Sequence, residues 1–176
     1  MGISLICADG RKEQPSFQGE KITYVIKKFG VKAGTATLVF EDLAQTKNYD
    51  AYLIVFTATG FNFFDEERIT VDRVSFYPIK IERTLNILGN KEKITEEYSP
   101  GKGTVKITKE SRGKTTQKII EKKTQLDNIY CFLYRYRFTK KFNMGDTFTM
   151  HLPTQEVTFR LKKNVKLKIA NETYNS

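Results

Sequence analysis

Tryptophan is absent from the 176 residues, histidine occurs once and cysteine twice. A zinc site needs three or four nitrogen, sulfur or oxygen ligands at close quarters. The chain has no C-x-x-C and no H-x-x-x-H spacing, so no metal and no cofactor is expected. Cys7 and Cys131 show no disulfide spacing pattern. Cys131, set between Tyr130 and Phe132, reads as a buried structural thiol. No apolar run approaches the roughly 20 residues of a membrane-spanning helix, which excludes an integral helical membrane protein. A phosphate loop is missing too: Gly101-Lys102-Gly103-Thr104 has a lysine and a threonine without the P-loop spacing or its following helix. The acidic clusters Asp65-Glu66-Glu67 and Glu96-Glu97 read as a charged turn or a solvated face. A Cys131–His151 nucleophilic pair gives way to a structural helix and an exposed strand histidine. No catalytic residue is expected, and the chain reads as non-enzymatic.

Positive charge, by contrast, is plentiful. Thirty Lys and Arg stand against twenty Asp and Glu, a formal net charge of +10. A nucleic-acid site gathers its basic residues into a patch with arginine forks and stacking aromatics. Here the lysines are spread along the chain and alternate with apolar residues, as in Val165-Lys166-Leu167-Lys168-Ile169. That is the pattern of a strand with one wet face, and lysine on exposed strands also discourages edge-to-edge aggregation. Nucleic acid is therefore disfavoured as a partner. Anionic lipid head groups or an acidic partner are the other readings of the charge.

Residues 1–8, Met-Gly-Ile-Ser-Leu-Ile-Cys-Ala, resemble the last part of a secretory signal peptide, with Ile6 and Ala8 at the −3 and −1 positions of a cleavage site. Export to the periplasm or cell envelope is the expectation. The basic region and full apolar core of such a signal are not present. Residues 9–16 then read as a flexible linker, 17–170 as one β domain, and 171–176 as a tail that stops before the domain would naturally finish.

Apolar alternation sets the fold class. Ile22, Tyr24 and Ile26 alternate with Thr23, Val25 and Lys27 and pair in a hairpin with 35–41 across the Phe29–Gly34 turn. Ala51 to Ala58 is apolar on both faces, as in a central strand. Gly60 to Arg68, crowded with phenylalanine and then acids, reads as a short helix or a loop across a sheet. Further strands are expected at 69–76, 79–87, 93–98, 104–109, 116–121, 147–152, 156–162 and 164–170, with Pro78 at a strand start or edge. Helical spacing of Leu126, Ile129, Tyr130, Leu133, Tyr134 and Arg137 predicts one main helix at about 125–138. The whole is mainly β: a strongly curved antiparallel sheet or incomplete barrel with one helix. Its aromatics, thirteen Phe and nine Tyr, fill a barrel core or line an apolar cavity. The cavity-lining candidates are Tyr24, Phe40, Phe56, Phe63, Phe76, Tyr130 and Phe148.

Several segments fall into the order of one family. Gly19-Glu20-Lys21-Ile22-Thr23-Tyr24 precedes the turn Gly30-Val31-Lys32-Ala33-Gly34. Ala58-Thr59-Gly60 precedes an aromatic stretch, and Val71-Asp72 leads to Tyr77-Pro78. Leu126 to Arg137 matches a D-x-[LI]-S-x-[LF]-Y-x-x-R helix, and Gly145-Asp146 follows as a G-D turn. In this order the segments resemble the bacterial domain-of-unknown-function family 3108 over roughly residues 17–170. Cys131 departs from the small hydroxyl residue often found there, and the usual final strands are not evident. The resemblance implies an exported protein without assigned activity, and a sheet similar by fold analogy to that of the lipoprotein carriers. The motif positions it carries over are Gly19, Glu20, Tyr24, Gly34, Pro78, Asp127, Tyr134, Arg137, Gly145 and Asp146, as structural more than functional residues. The leading expectation is a lipid, lipoprotein or other apolar ligand held in a β-sheet concavity. The alternative is a structural or interaction module that binds an envelope protein or cell-wall partner through edge strands and a lysine-rich face.

Overall fold

Strand alternation runs through most of the chain, and the computed structural model pairs it into a long meander. Residues 18–46, 49–99, 101–139, 145–160, 166–169 and 172–175 are described. The signal-like stretch, the linker and Cys7 lie outside the described residues. Eight strands pair each with the next: β1 (Lys21–Lys28), β2 (Val31–Thr46), β3 (Tyr49–Gly60), β4 (Phe63–Asp72), β5 (Pro78–Ile87), β6 (Asn90–Ser99), β7 (Thr104–Ser111) and β8 (Lys114–Glu121). All seven pairings are antiparallel. The sheet is curved and does not close into a barrel, so β1 and β8 are its edges. Helix α1 (Ile129–Thr139) follows, then the hairpin β9 (Thr147–His151) with β10 (Glu156–Arg160). Strand β11 (Lys166–Ile169) pairs antiparallel with β12 (Glu172–Asn175), which falls within the segment read as a tail.

The helix lies between one face of the curved sheet and the β9–β10 hairpin. Its Cys131 and Tyr134 enter the main core with Leu38, Phe40, Tyr52, Ile54, Ile69, Val71, Ile81 and Val105, and Tyr130 packs against that cluster. Its opposite side gives Phe132 and Tyr136 to a second cluster with Met150, against which Phe148, Val157 and Phe159 pack. Both sides of α1 are therefore apolar, as a helix sandwiched between two layers requires. Each fully buried large apolar side chain contributes about 1.5–3 kcal/mol.

Several boundaries differ from the sequence reading. Strand β2 begins at Val31, inside the turn expected over 29–34, and runs to Thr46 where 41 was expected. The segment 60–68 is neither helix nor loop but a turn at 61–62 and the first half of β4. Its period of two is disguised because the inward positions, Asp65 and Glu67, are charged. Beyond it, β4 ends at Asp72, four residues short of the expected 76. The Asp72 side chain there accepts the N–H groups of Val74 at 3.1 Å and Ser75 at 2.7 Å, a local bond that competes with the strand ladder. The helix begins at Ile129, not near 125. The Asn128 Oδ1 accepts the Tyr130 N–H at 2.8 Å as an N-cap. Before it, the Asp127 N–H donates to the His151 carbonyl at 2.8 Å and so leaves the helix.

Candidate functional site

The face that carries the helix has two ends. Beneath α1 it is apolar. Toward β4–β7 the same face turns polar, because pairing registers Phe56 with Glu67, Glu67 with Arg83, Ile81 with Glu96, and Ile94 with Lys109. Arg83 grips Asp65 with two bonds, Nε to Oδ1 at 2.8 Å and Nη2 to Oδ2 at 2.7 Å, and Asp65 is buried. The Asn128 side chain caps α1 with its oxygen and donates its amide N–H to Glu67 Oε1 at 2.8 Å. Burial pushes the Glu67 carboxyl above the usual glutamate range, and the Asn128 bond pulls partly the other way. The Tyr98 hydroxyl donates to Glu96, and burial followed by that carboxylate raises its pKa. Desolvation likewise raises Tyr130. A small hollow of about 260 Å³ lies among Glu67, Arg83, Glu96, Tyr98, Asn128 and Leu152.

Of the residues singled out from the sequence, several meet at the far end of the helix. Arg137 holds Glu20 bidentately, Nη1 to Oε2 at 2.6 Å and Nη2 to Oε1 at 2.7 Å, and the Tyr134 hydroxyl donates to the same Oε2 at 3.2 Å. The Arg137 bond holds the Glu20 carboxyl below its ordinary value. Asp127, nearly fully buried, pairs with Arg135 at the helix start; burial raises its pKa and the Arg135 bond opposes this. Gly34 lies where a Cβ would stand 2.3 Å from the Thr59 carbonyl oxygen, so the close approach of β2 to β3 there requires glycine. Gly19 donates its N–H to the Phe40 carbonyl in the turn before β1. Pro78 opens β5, as expected. Tyr24 is half exposed on β1, and Gly145-Asp146 leads into β9.

The aromatic candidates mostly build the core. Phe40 and Phe76 are buried, Phe40 lying 4.7 Å from Tyr134 and Phe56 stacking on Tyr130 at 5.0 Å between ring centroids. Phe148 meets Tyr136 edge-on at 4.1 Å in the hairpin layer. Phe63 is partly buried at the start of β4. Cys131 is fully buried and free, and burial raises its thiol well above the ordinary value. His151 pairs with Glu156 across the β9–β10 hairpin at 3.0 Å. The Gly101–Thr104 segment leads into strand β7, not a helix. Among the described residues no group of three His, Cys, Asp or Glu is placed to hold a metal ion. Several lysines of the sheet pair with acids, Lys80 with Glu82 at 2.8 Å and Lys109 with Glu92 at 2.7 Å.

The sequence singled out Asp65, Glu67 and Glu96 but read them as a charged turn or a solvated face, whereas Asp65 is buried and Glu67 bonds to the helix cap; their meeting was missed because the cluster draws on β4, β5, β6 and the helix cap. The one available signal was the i, i+2 spacing of Asp65 and Glu67, which puts both carboxylates on one face of a strand. No family model matches the chain, and no match is found among curated proteins or solved structures.

Proposed function

We propose that the chain is a non-enzymatic interaction module of the cell envelope, which pairs an extended segment of a partner protein with its β8 edge. One observation carries this reading: β8 ends the sheet, and seven of its eight residues are exposed. An edge of this kind offers a row of backbone N–H and C=O groups to an added strand. Its sequence, Lys-Thr-Thr-Gln-Lys-Ile-Ile-Glu, contains no proline or glycine. Its register with β7 is regular throughout, whereas the β1 edge is interrupted by a register shift after Ile26. Lys114 and Lys118 give the edge a preference for an acidic segment.

Two further features support a surface partner over a ligand in the concavity. The helix occupies the apolar part of its face of the sheet, and the hollow left beside it measures about 260 Å³, below the roughly 300 Å³ of ordinary ligand pockets. Its carboxylates are also committed to structural partners: Glu67 to the helix cap, Glu96 to Tyr98, Asp127 to Arg135. A carrier of apolar ligands would have to release α1 and its bonds to Glu20 and Glu67. The signal-like Ile6 and Ala8 and the family resemblance support the envelope location.

The plain alternative is that Lys114 and Lys118 guard an edge that binds nothing. Photo-crosslinking residues at positions 115, 117 and 119, introduced in the native host, separate the two. One partner captured from these sites, and none from Arg68 in mid-sheet, is the expected result. No adducts, or equal adducts from Arg68, contradict the proposal.

A further inference from the structure

In a meander every second turn falls on the same rim of the sheet, so the β1–β2, β3–β4, β5–β6 and β7–β8 turns form one row. Strand spacing places successive tips roughly 10 Å apart. The Leu88 N–H donates to the Asn62 carbonyl at 2.8 Å, joining the second tip to the third. Three of the four tips carry a large apolar residue held out from the fold: Phe29 is 95% exposed, Phe61 91% and Leu88 74%. Val31, beside the first tip, is 71% exposed.

Two of these residues stand where the turn itself disfavours them. Phe29 and Leu88 have φ of 51° and 53°, each followed by a glycine with positive φ. That is the type I′ hairpin turn, whose first position suits Asn, Asp or Gly. Phenylalanine and leucine are costly choices at such a position. Around the tips the charge is one-sided. Lys27, Lys32, Lys91, Arg112 and Lys114 lie within two residues of a tip and are exposed; the acid in that zone is Glu110. Between the third and fourth tips a hollow of about 820 Å³ is lined by Lys91, Lys93, Arg112 and Lys114, with Glu92 and Glu110 on its walls. Lys109 holds Glu92 at 2.7 Å.

We propose that this rim docks on an anionic lipid bilayer, with Phe29, Phe61 and Leu88 inserted at the head-group boundary and the basic residues on lipid phosphates. Projecting side chains spaced along a rim need matching pockets on a protein, but a fluid interface accepts them singly. Apolar insertion and attraction to anionic lipids add together in such binding, and each basic residue near the surface is worth roughly five-fold. The inference does not depend on the β8 edge, since rim and edge are different surfaces and their variants fail separately.

Flotation of the whole protein with phosphatidylcholine vesicles, with and without phosphatidylglycerol, tests it. The wild type is expected to float with the anionic vesicles and to be released by salt. The variant F29N/F61S/L88N, whose asparagines suit the turns, is expected to melt no lower than the wild type and to lose roughly ten-fold or more in binding. The variant K91Q/K93Q/R112Q, which leaves the β8 edge untouched, is expected to lose the preference for phosphatidylglycerol. Failure of the wild type to bind anionic vesicles overturns the proposal, even if the tips prove to bind a protein. So does equal binding by the folded tip variant.

Discussion

Glu67 is a carboxylate placed where burial opposes its charge, and Asn128 is the neighbour that offsets part of that cost. Its folded-state pKa lies above the unfolded value, so the native state holds the extra proton in the window between the two. Stability therefore falls as pH rises through that window. Glu67→Gln keeps an acceptor for the Asn128 amide and removes the charge. It should be more stable than wild type in urea at about pH 8, with the difference closing toward about pH 4. Glu20 behaves in the opposite sense. Arg137 depresses its pKa from the ordinary 4.5, so its contribution is present above that value and lost as pH falls through the depressed one. Arg137 is 41% exposed, and solvent screening limits the pair to about 0.5–1 kcal/mol. Glu20→Gln should cost that much at neutral pH, as read by urea midpoints, and nothing once wild-type Glu20 is protonated. The sequence named Glu20, Tyr134 and Arg137 through a family pattern, but nothing local ties them together. Glu20 and Arg137 are 117 residues apart, so their meeting is a product of the fold.

At the scale of elements, the turns were legible because Gly30, Gly89 and Gly113 mark them, and the strands because their faces alternate. Where alternation is written in charge, as in Asp65 and Glu67 of β4, the strand was hidden. The helix was legible by its spacing, yet its start was misplaced. Leu126 fits the helical period and is buried, but Asn128 takes the cap and Asp127 bonds to β9, so the helix opens at Ile129. The tips supply the sharpest element-level prediction. Left-handed backbone costs an ordinary side chain about 1–2 kcal/mol, and asparagine tolerates it better. Phe29→Asn and Leu88→Asn should each raise folding stability, by up to about 1 kcal/mol in chemical denaturation. A loss of stability would mean that the exposed side chains support the hairpins themselves.

For the molecule as a whole, composition and alternation revealed a curved β-sheet with one helix, but not which face the helix covers. That choice rests on contacts between distant segments: Phe40 with Tyr134, Phe56 with Tyr130, Glu67 with Asn128. The face expected to receive an apolar ligand carries the chain's own helix. Cys131 sits between sheet and helix with its side chain fully buried, which makes it a native reporter of whether α1 ever leaves. In a Cys7→Ser variant it is the sole thiol, since the chain has two cysteines. The decisive measurement is the rate at which a thiol reagent modifies Cys131 in the folded protein as denaturant is raised from zero. A helix that stays docked predicts labelling only through global unfolding, with the denaturant dependence of the full transition. Labelling far faster than that, and nearly independent of denaturant, would show α1 opening as a lid and contradict the account.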